Sequence, residues 1–155
     1  MDINHRQRMI DDLSAEFSNN KGCYFLTLNA LTKDDIKLSR DVTELIHRLN
    51  YYCFGRSYKR NVNRLKSVGV SEVGTVNQGL HMHLAIIFAN ETGRSVEDIE
   101  RFIRKKWSSI IRQKKNLVRN SNLVDLRLID DLQSCFGYMT KTFHHHPNQF
   151  NFQYF

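Results

Sequence analysis

The stretch Gly79-Leu80-His81-Met82-His83-Leu84-Ala85-Ile86-Ile87-Phe88 decides how the chain is read. Its apolar, β-branched and aromatic content predicts a buried strand, with Asn77 and Gly79 supplying the turn that enters it. Strand side chains alternate between faces, so His81 and His83 point one way and Met82, Leu84 and Ile86 the other. Two imidazoles side by side on one sheet face can chelate a metal without any rearrangement of the chain. The plainer reading is a pair of histidines packed in a half-polar core.

Residues 68–75 predict the strand that precedes this one. With an even-numbered loop, Val76 faces Gly79 or Thr75 faces Leu80. Glu72 then falls directly opposite His83 and Gly74 opposite His81, because directly opposed residues share a face. Glu72 is thereby within reach of a metal held by both histidines. An odd loop or a bulge would carry it to the other face, as a surface glutamate.

Further outward, residues 23–30 predict a first strand with Tyr24, Leu26 and Leu28 on one face and Phe25, Thr27 and Asn29 on the other. Residues 5–20 are polar and predict a short helix leading in. From Asp34 the period changes: Leu38, Val42, Leu45, Leu49 and Tyr52 recur at three and four, an amphipathic helix that Gly55 can stop. A basic segment follows, with Arg56, Lys59, Arg60, Arg64 and Lys66 around Tyr58. It is either a solvated loop or a phosphate-contacting surface.

Ser95 with Asp98 resembles a capping box opening a long helix. Its apolar side is Ile99, Phe102, Ile103, Trp107, Ile110 and Ile111. Its exposed side and tail carry Arg101, Arg104, Lys105, Lys106, Arg112, Lys114, Lys115 and Arg119, the densest positive charge in the chain. That surface is the expected contact for a nucleic-acid backbone. Residues 122–129 predict a fourth strand. A last helix runs from Leu132 to about Phe143, with Leu132, Cys135, Phe136, Met139 and Phe143 on one side and Ser134, Tyr138 and Lys141 on the other. A tyrosine displaced from the apolar stripe, with a lysine three residues on, is poorly explained by core packing. His144, His145 and His146 follow and read as a solvated tract.

Composition bounds these readings. At 155 residues, 41% hydrophobic and 25% charged, the chain is expected to form a single domain over 1–155. The net charge of +7 points to a polyanion, nucleic acid being the commonest. No apolar run approaches the roughly 18 residues that span a bilayer, and no signal core follows Arg6. The cysteines, Cys23, Cys53 and Cys135, are odd in number and widely spaced, so a reducing cytoplasm is expected rather than a disulfide framework. With one proline and no linker, repeat or Walker-type phosphate loop, no internal boundary is seen.

Strand histidines, an opposed glutamate and a later helix carrying tyrosine and lysine together resemble the HUH endonuclease superfamily. Tyr24-Phe25-Leu26-Thr27-Leu28-Asn29 is similar to its first-strand motif, His81-Met82-His83 to its metal motif, and Tyr138-Met139-Thr140-Lys141 to its Y-x-x-K nucleophile motif. Tyrosine after the histidines is the order of the replication initiator (Rep) class. The resemblance implies an α+β fold: an antiparallel sheet of four to five strands with a βαββαβ, RRM- or ferredoxin-like core and helices packed on the sheet.

The resemblance also implies nicking and joining of single-stranded DNA at an origin or hairpin site, in rolling-circle replication of a plasmid, phage or mobile element. His81, His83 and Glu72 would hold Mg²⁺ or Mn²⁺. Tyr138 would attack the phosphorus to leave a 5′-phosphotyrosine, and Lys141 would orient or neutralise the phosphate. Only one tyrosine sits in the motif, and the lack of a helicase domain implies a host helicase and polymerase as partners.

Two other readings remain. A single-tyrosine HUH transposase is similar in length, but Tyr138 has Lys141 three residues on and lacks the expected aromatic and serine surroundings. A non-catalytic RRM-like module for single-stranded DNA or RNA would want stacking aromatics where the histidines and Glu72 stand.

Overall fold

A computed structural model describes residues 3–18, 22–30, 32–74, 79–88, 92–111, 123–141 and 153–155. In it the histidine strand is the middle of the sheet. The elements run α1 (Ile3–Ser18), β1 (Cys23–Asn29), α2 (Asp35–Phe54), α3 (Arg56–Lys59), β2 (Lys66–Val73), β3 (Leu80–Ile87), α4 (Val96–Ile111), β4 (Val124–Leu128), α5 (Leu132–Met139) and β5 (Gln153–Tyr154). The strand order is β4-β1-β3-β2-β5, and every pairing is antiparallel. The molecule is therefore α+β with helices packed on a five-stranded antiparallel sheet.

Alternation along the strands divides the core in two. Leu26, Leu28, Leu80, Met82, Leu84 and Ile86 meet α2 through Leu38, Val42, Leu45 and Leu49, and α4 through Ile99, Ile103 and Trp107. On the other face Val68, Val70, Ala85 and Ile87 meet Ile10, Leu13 and Phe17 of α1 and Phe136 and Met139 of α5. The helix ends follow local chemistry. The Asp34 carboxylate accepts from the Ile36 and Lys37 amides, and Gly55 ends α2 at φ +54°. Ser95 Oγ accepts from the Asp98 amide at 3.1 Å, as the capping reading expects. Asp131 caps α5 by accepting from the Gln133 amide.

Two expectations are corrected. Residues 5–20 are not a minor lead-in: α1 has 16 residues, and its Ile10, Leu13 and Phe17 are buried against α5. Three buried apolar positions spaced three and four apart, with Met9 beside them, dock a helix that is largely polar elsewhere. The β2–β3 register is the second correction. Glu72 lies opposite His81, not His83, and Val70 lies opposite His83.

The observed register differs from the expected one by two residues, which leaves every side chain on its expected face. Alternation alone therefore cannot distinguish the two. A Cβ on Gly74 would lie 2.1 Å from His81 Nε2, and one on Gly69 would lie 2.8 Å from Leu84 Cδ2. Each glycine leaves room for a larger side chain from the neighbouring strand. The ladder ends where the Gly74 amide donates to the Gly79 carbonyl at 2.8 Å. Strand β5, which no sequence signal announced, adds to the β2 edge through Val68–Tyr154 and Gly69–Gln153. No helix among the described residues is long and apolar enough to cross a membrane.

Candidate active site

The sheet face under α1 and α5 changes character along its length. It is apolar at Cys23, Val68, Ala85 and Ile87, and polar at Asn29, Glu72, His81 and His83. Helix α5 crosses near this boundary and brings Tyr138 onto the polar end. Its placement depends on α1. Phe17 meets Phe136 edge-on at 5.4 Å, and Arg6 donates to the Gly137 carbonyl at 2.8 Å and to Thr140 Oγ1 at 3.2 Å.

His83 is the centre of the cluster and is only 7% exposed. Its Nε2 lies 3.1 Å from Glu72 Oε2, and its Nδ1 lies 3.1 Å from Thr27 Oγ1. Its ring stacks on Phe25 at 5.3 Å, and Tyr138 meets it edge-on at 5.5 Å. His81 lies alongside with its ring nearly parallel at 6.5 Å, and its Nδ1 is hydrogen-bonded to Asn29 Oδ1. Lys141 closes the group. Its Nζ is 3.1 Å from Glu72 Oε1 and 3.7 Å from the centre of the Tyr138 ring. A two-residue register difference thus does not separate Glu72 from His83, because the long glutamate side chain reaches its diagonal neighbour.

Electrostatics assign the charges. Burial, the largest influence, pulls the His83 pKa below the ordinary imidazole value. Glu72 opposes this, while His81 and Lys141 reinforce it. His83 is therefore neutral near pH 7, the form that donates a lone pair. Partial burial works against the Lys141 ammonium, but the hydrogen bond to Tyr138 and the Glu72 carboxylate outweigh it and hold its pKa above the usual lysine value. Lys141 thus stays cationic. Burial pushes the Cys23 and Cys135 thiols up to about 12 and Cys53 up to about 11, which leaves them poor nucleophiles.

A pH prediction follows from His83. Its folded pKa lies below the unfolded value of about 6.5, so the unfolded chain takes up the proton first as pH falls. The stability contribution of a neutral, buried His83 is present above that pH and lost below it. In an NMR titration His83 is expected to be predominantly neutral at pH 6.5. A midpoint at or above 6.5 would contradict the burial described.

The donor set of imidazole nitrogens and one carboxylate suits a divalent cation. His83 and Glu72 already face one another, with His81 beside them as the third candidate. Among the described residues, no three His, Cys, Asp or Glu side chains are gathered round a single point. Gly74 bears on this arrangement, because His81 Nε2 occupies space that a Cβ there would claim. Gly74→Ala is expected to displace the His81 ring and to cost about 1–3 kcal/mol of folding stability, since the Cβ would also lie 3.0 Å from the Gly79 carbonyl oxygen, which belongs to the backbone. Unmoved His81 resonances in that variant would refute the close approach.

The basic residues divide differently. Arg56 and Lys59 lie on α3, Arg60 caps its end, and Lys59 sits 5.1 Å over the Tyr51 ring. Arg64 donates to Asn61 at 3.0 Å. Arg104 is paired with Glu100 at 2.6 Å, and Lys105 is exposed. Helix α4 packs on the sheet face opposite Tyr138, and α3 packs on α2, so these cations are not brought together with the histidines. Lys114 and Lys115 lie outside the described residues, as do Arg112, Arg119 and the histidines 144–146.

Residues missed as site members are Phe25, Thr27 and Asn29. Alternation in β1 places all three on the histidine face. Comparison with protein-family models, curated proteins and solved structures gives no match. The α+β architecture and the side-chain cluster are therefore what the functional reading rests on.

Proposed function

We propose that this chain is a metal-dependent single-stranded DNA nicking and joining enzyme of the HUH kind, a rolling-circle replication initiator that works through a 5′-phosphotyrosine. The observation that carries the reading is the continuous contact from His83 Nε2 to Glu72, from Glu72 to Lys141, and from Lys141 to the Tyr138 ring. Residues separated by up to 69 positions meet there, and neither core packing nor helix stability calls for a half-exposed tyrosine beside a lysine that bridges to a strand glutamate.

In this reading Tyr138 Oη attacks the phosphorus and the bond to the 3′ oxygen breaks. The hydroxyl proton is lost to solvent, and the departing oxygen takes one up to become a 3′-OH. The 5′ phosphate remains esterified to Tyr138. Lys141, fixed beside the ring and cationic, balances charge on the phosphate. Mg²⁺ or Mn²⁺ bound by His81, His83 and Glu72 would polarise the scissile phosphate and stabilise transition-state charge. Attack by a 3′-OH on the phosphotyrosine reverses the reaction and joins strands without ATP. The cations of α3, α4 and residues 112–119 would serve the flanking DNA rather than the scissile bond.

The test is a denaturing gel after incubation with single-stranded oligonucleotides and Mn²⁺ or Mg²⁺. A protein–DNA adduct is expected, and EDTA should abolish it. Tight metal-independent binding with no adduct, across a broad oligonucleotide pool, would replace the enzyme with a binding module.

A further inference from the structure

The β1–β3 ladder sets Thr27 directly opposite His83 and Asn29 directly opposite His81. Each residue meets the Nδ1 of the histidine it faces: Thr27 Oγ1 at 3.1 Å from His83, and Asn29 Oδ1 on His81. Two successive positions on one strand face thus address the same ring atom of two successive histidines on the next. The two partners are chemically different. An amide oxygen only accepts, so it requires the proton on His81 Nδ1 and leaves the Nε2 lone pair free. A hydroxyl can do either. It donates to His83 Nδ1 when Nε2–H is given to Glu72, and accepts from Nδ1–H when Nε2 must offer its lone pair.

We propose that Asn29 and Thr27 are positioning residues that set the tautomers of His81 and His83, so that both Nε2 atoms can act as donors to one divalent cation. The inference deepens the metal-dependent reading and rests on it. Asn29 has the stricter role, since its oxygen permits one tautomer of His81. Thr27 has the permissive role, since its hydroxyl accommodates both states of His83 while holding the ring plane. The Asn29 backbone is itself anchored, because its carbonyl accepts from Trp107 Nε1 of α4 at 3.0 Å. The site side chain is therefore held from both layers. Such partners, which orient a ligating imidazole through its other nitrogen, typically change metal affinity by about 10- to 100-fold when removed.

The first readout needs neither DNA nor metal. Long-range ¹H–¹⁵N spectra of the whole protein are expected to show His81 protonated on Nδ1. Asn29→Leu should release it toward the commoner Nε2–H form, and Asn29→Asp, which keeps an accepting oxygen, should preserve Nδ1–H. The second readout is calorimetric titration with Mn²⁺. Thr27→Val and Asn29→Leu are each expected to bind about 10- to 100-fold more weakly, with Thr27→Ser near wild type. An Nε2–H tautomer at wild-type His81 would overturn the proposal, as would unchanged Mn²⁺ affinity in both folded variants or no Mn²⁺ binding by the wild type. The expected tautomers and affinities without a DNA adduct would sustain this inference while removing the nicking reading. Adducts with unmoved affinity would do the reverse.

Discussion

Tyr138→Phe is expected to abolish covalent capture of single-stranded DNA while leaving the fold and non-covalent binding in place. The substitution removes one oxygen. The ring that meets Phe25 at 5.9 Å and His83 at 5.5 Å remains, as does the face under Lys141. Tyr138 is 45% exposed, so little buried structure depends on its hydroxyl. A surface change of this kind usually alters stability by no more than about 0.5 kcal/mol. Loss of a sole nucleophile costs on the order of 10⁴-fold or more, because no other group replaces the atom that forms the bond. The cysteines are poor substitutes, with thiols pushed up to about 11 or 12. Gel shift and adduct yield, measured side by side, separate the two effects. An adduct that persists in Tyr138→Phe would place the nucleophile elsewhere in the chain.

Phe17→Ala is expected to be the most damaging single change remote from the chemistry. Phe17 is 0% exposed and packs edge-on against Phe136 of α5, the helix that carries Tyr138. Removing a buried phenyl ring costs about 3–5 kcal/mol, through lost burial and the cavity left behind. That is a large share of the roughly 5–15 kcal/mol by which ordinary domains are stable. The loss should show in urea denaturation as a lower midpoint with an unchanged slope. It should also weaken adduct formation at temperatures where the variant is still folded, because α1 and the Arg6 bonds to Gly137 and Thr140 hold α5 over the sheet. A loss below about 1 kcal/mol would mean that α1 is not part of the cooperative core.

How much of this was legible beforehand differs by residue. The face shared by His81 and His83, and its separation from Met82 and Leu84, follows from strand alternation and needs no partner strand. The outward position of Tyr138 follows from helical period; Lys141, expected on the same helix, instead lies past the end of α5 at Met139 and reaches the tyrosine from beyond the cap. The Ser95 cap is equally local. Glu72 was legible as to face but not as to partner, because a two-residue slip preserves every face. The pairing of β2 with β3 in the folded chain decides between the two registers. The role of α1 was hidden for another reason: Ile10, Leu13 and Phe17 are sparse among charges, and their value lies in what α5 presents to them.

By itself, then, the sequence determined the type of the main strands and helices, the basic charge and the side of the sheet on which each histidine stands, all properties carried within a few neighbouring residues. It missed α3 and β5 and ran the last helix past its end at Met139. The tertiary structure alone decided that β3 is central, that Thr27 and Asn29 face the histidine rings, that Glu72 bridges His83 to Lys141, and that α3 and α4 carry their cations on the far layer. Those outcomes depend on which strands pair and in what register, a choice made by packing between segments distant in the chain.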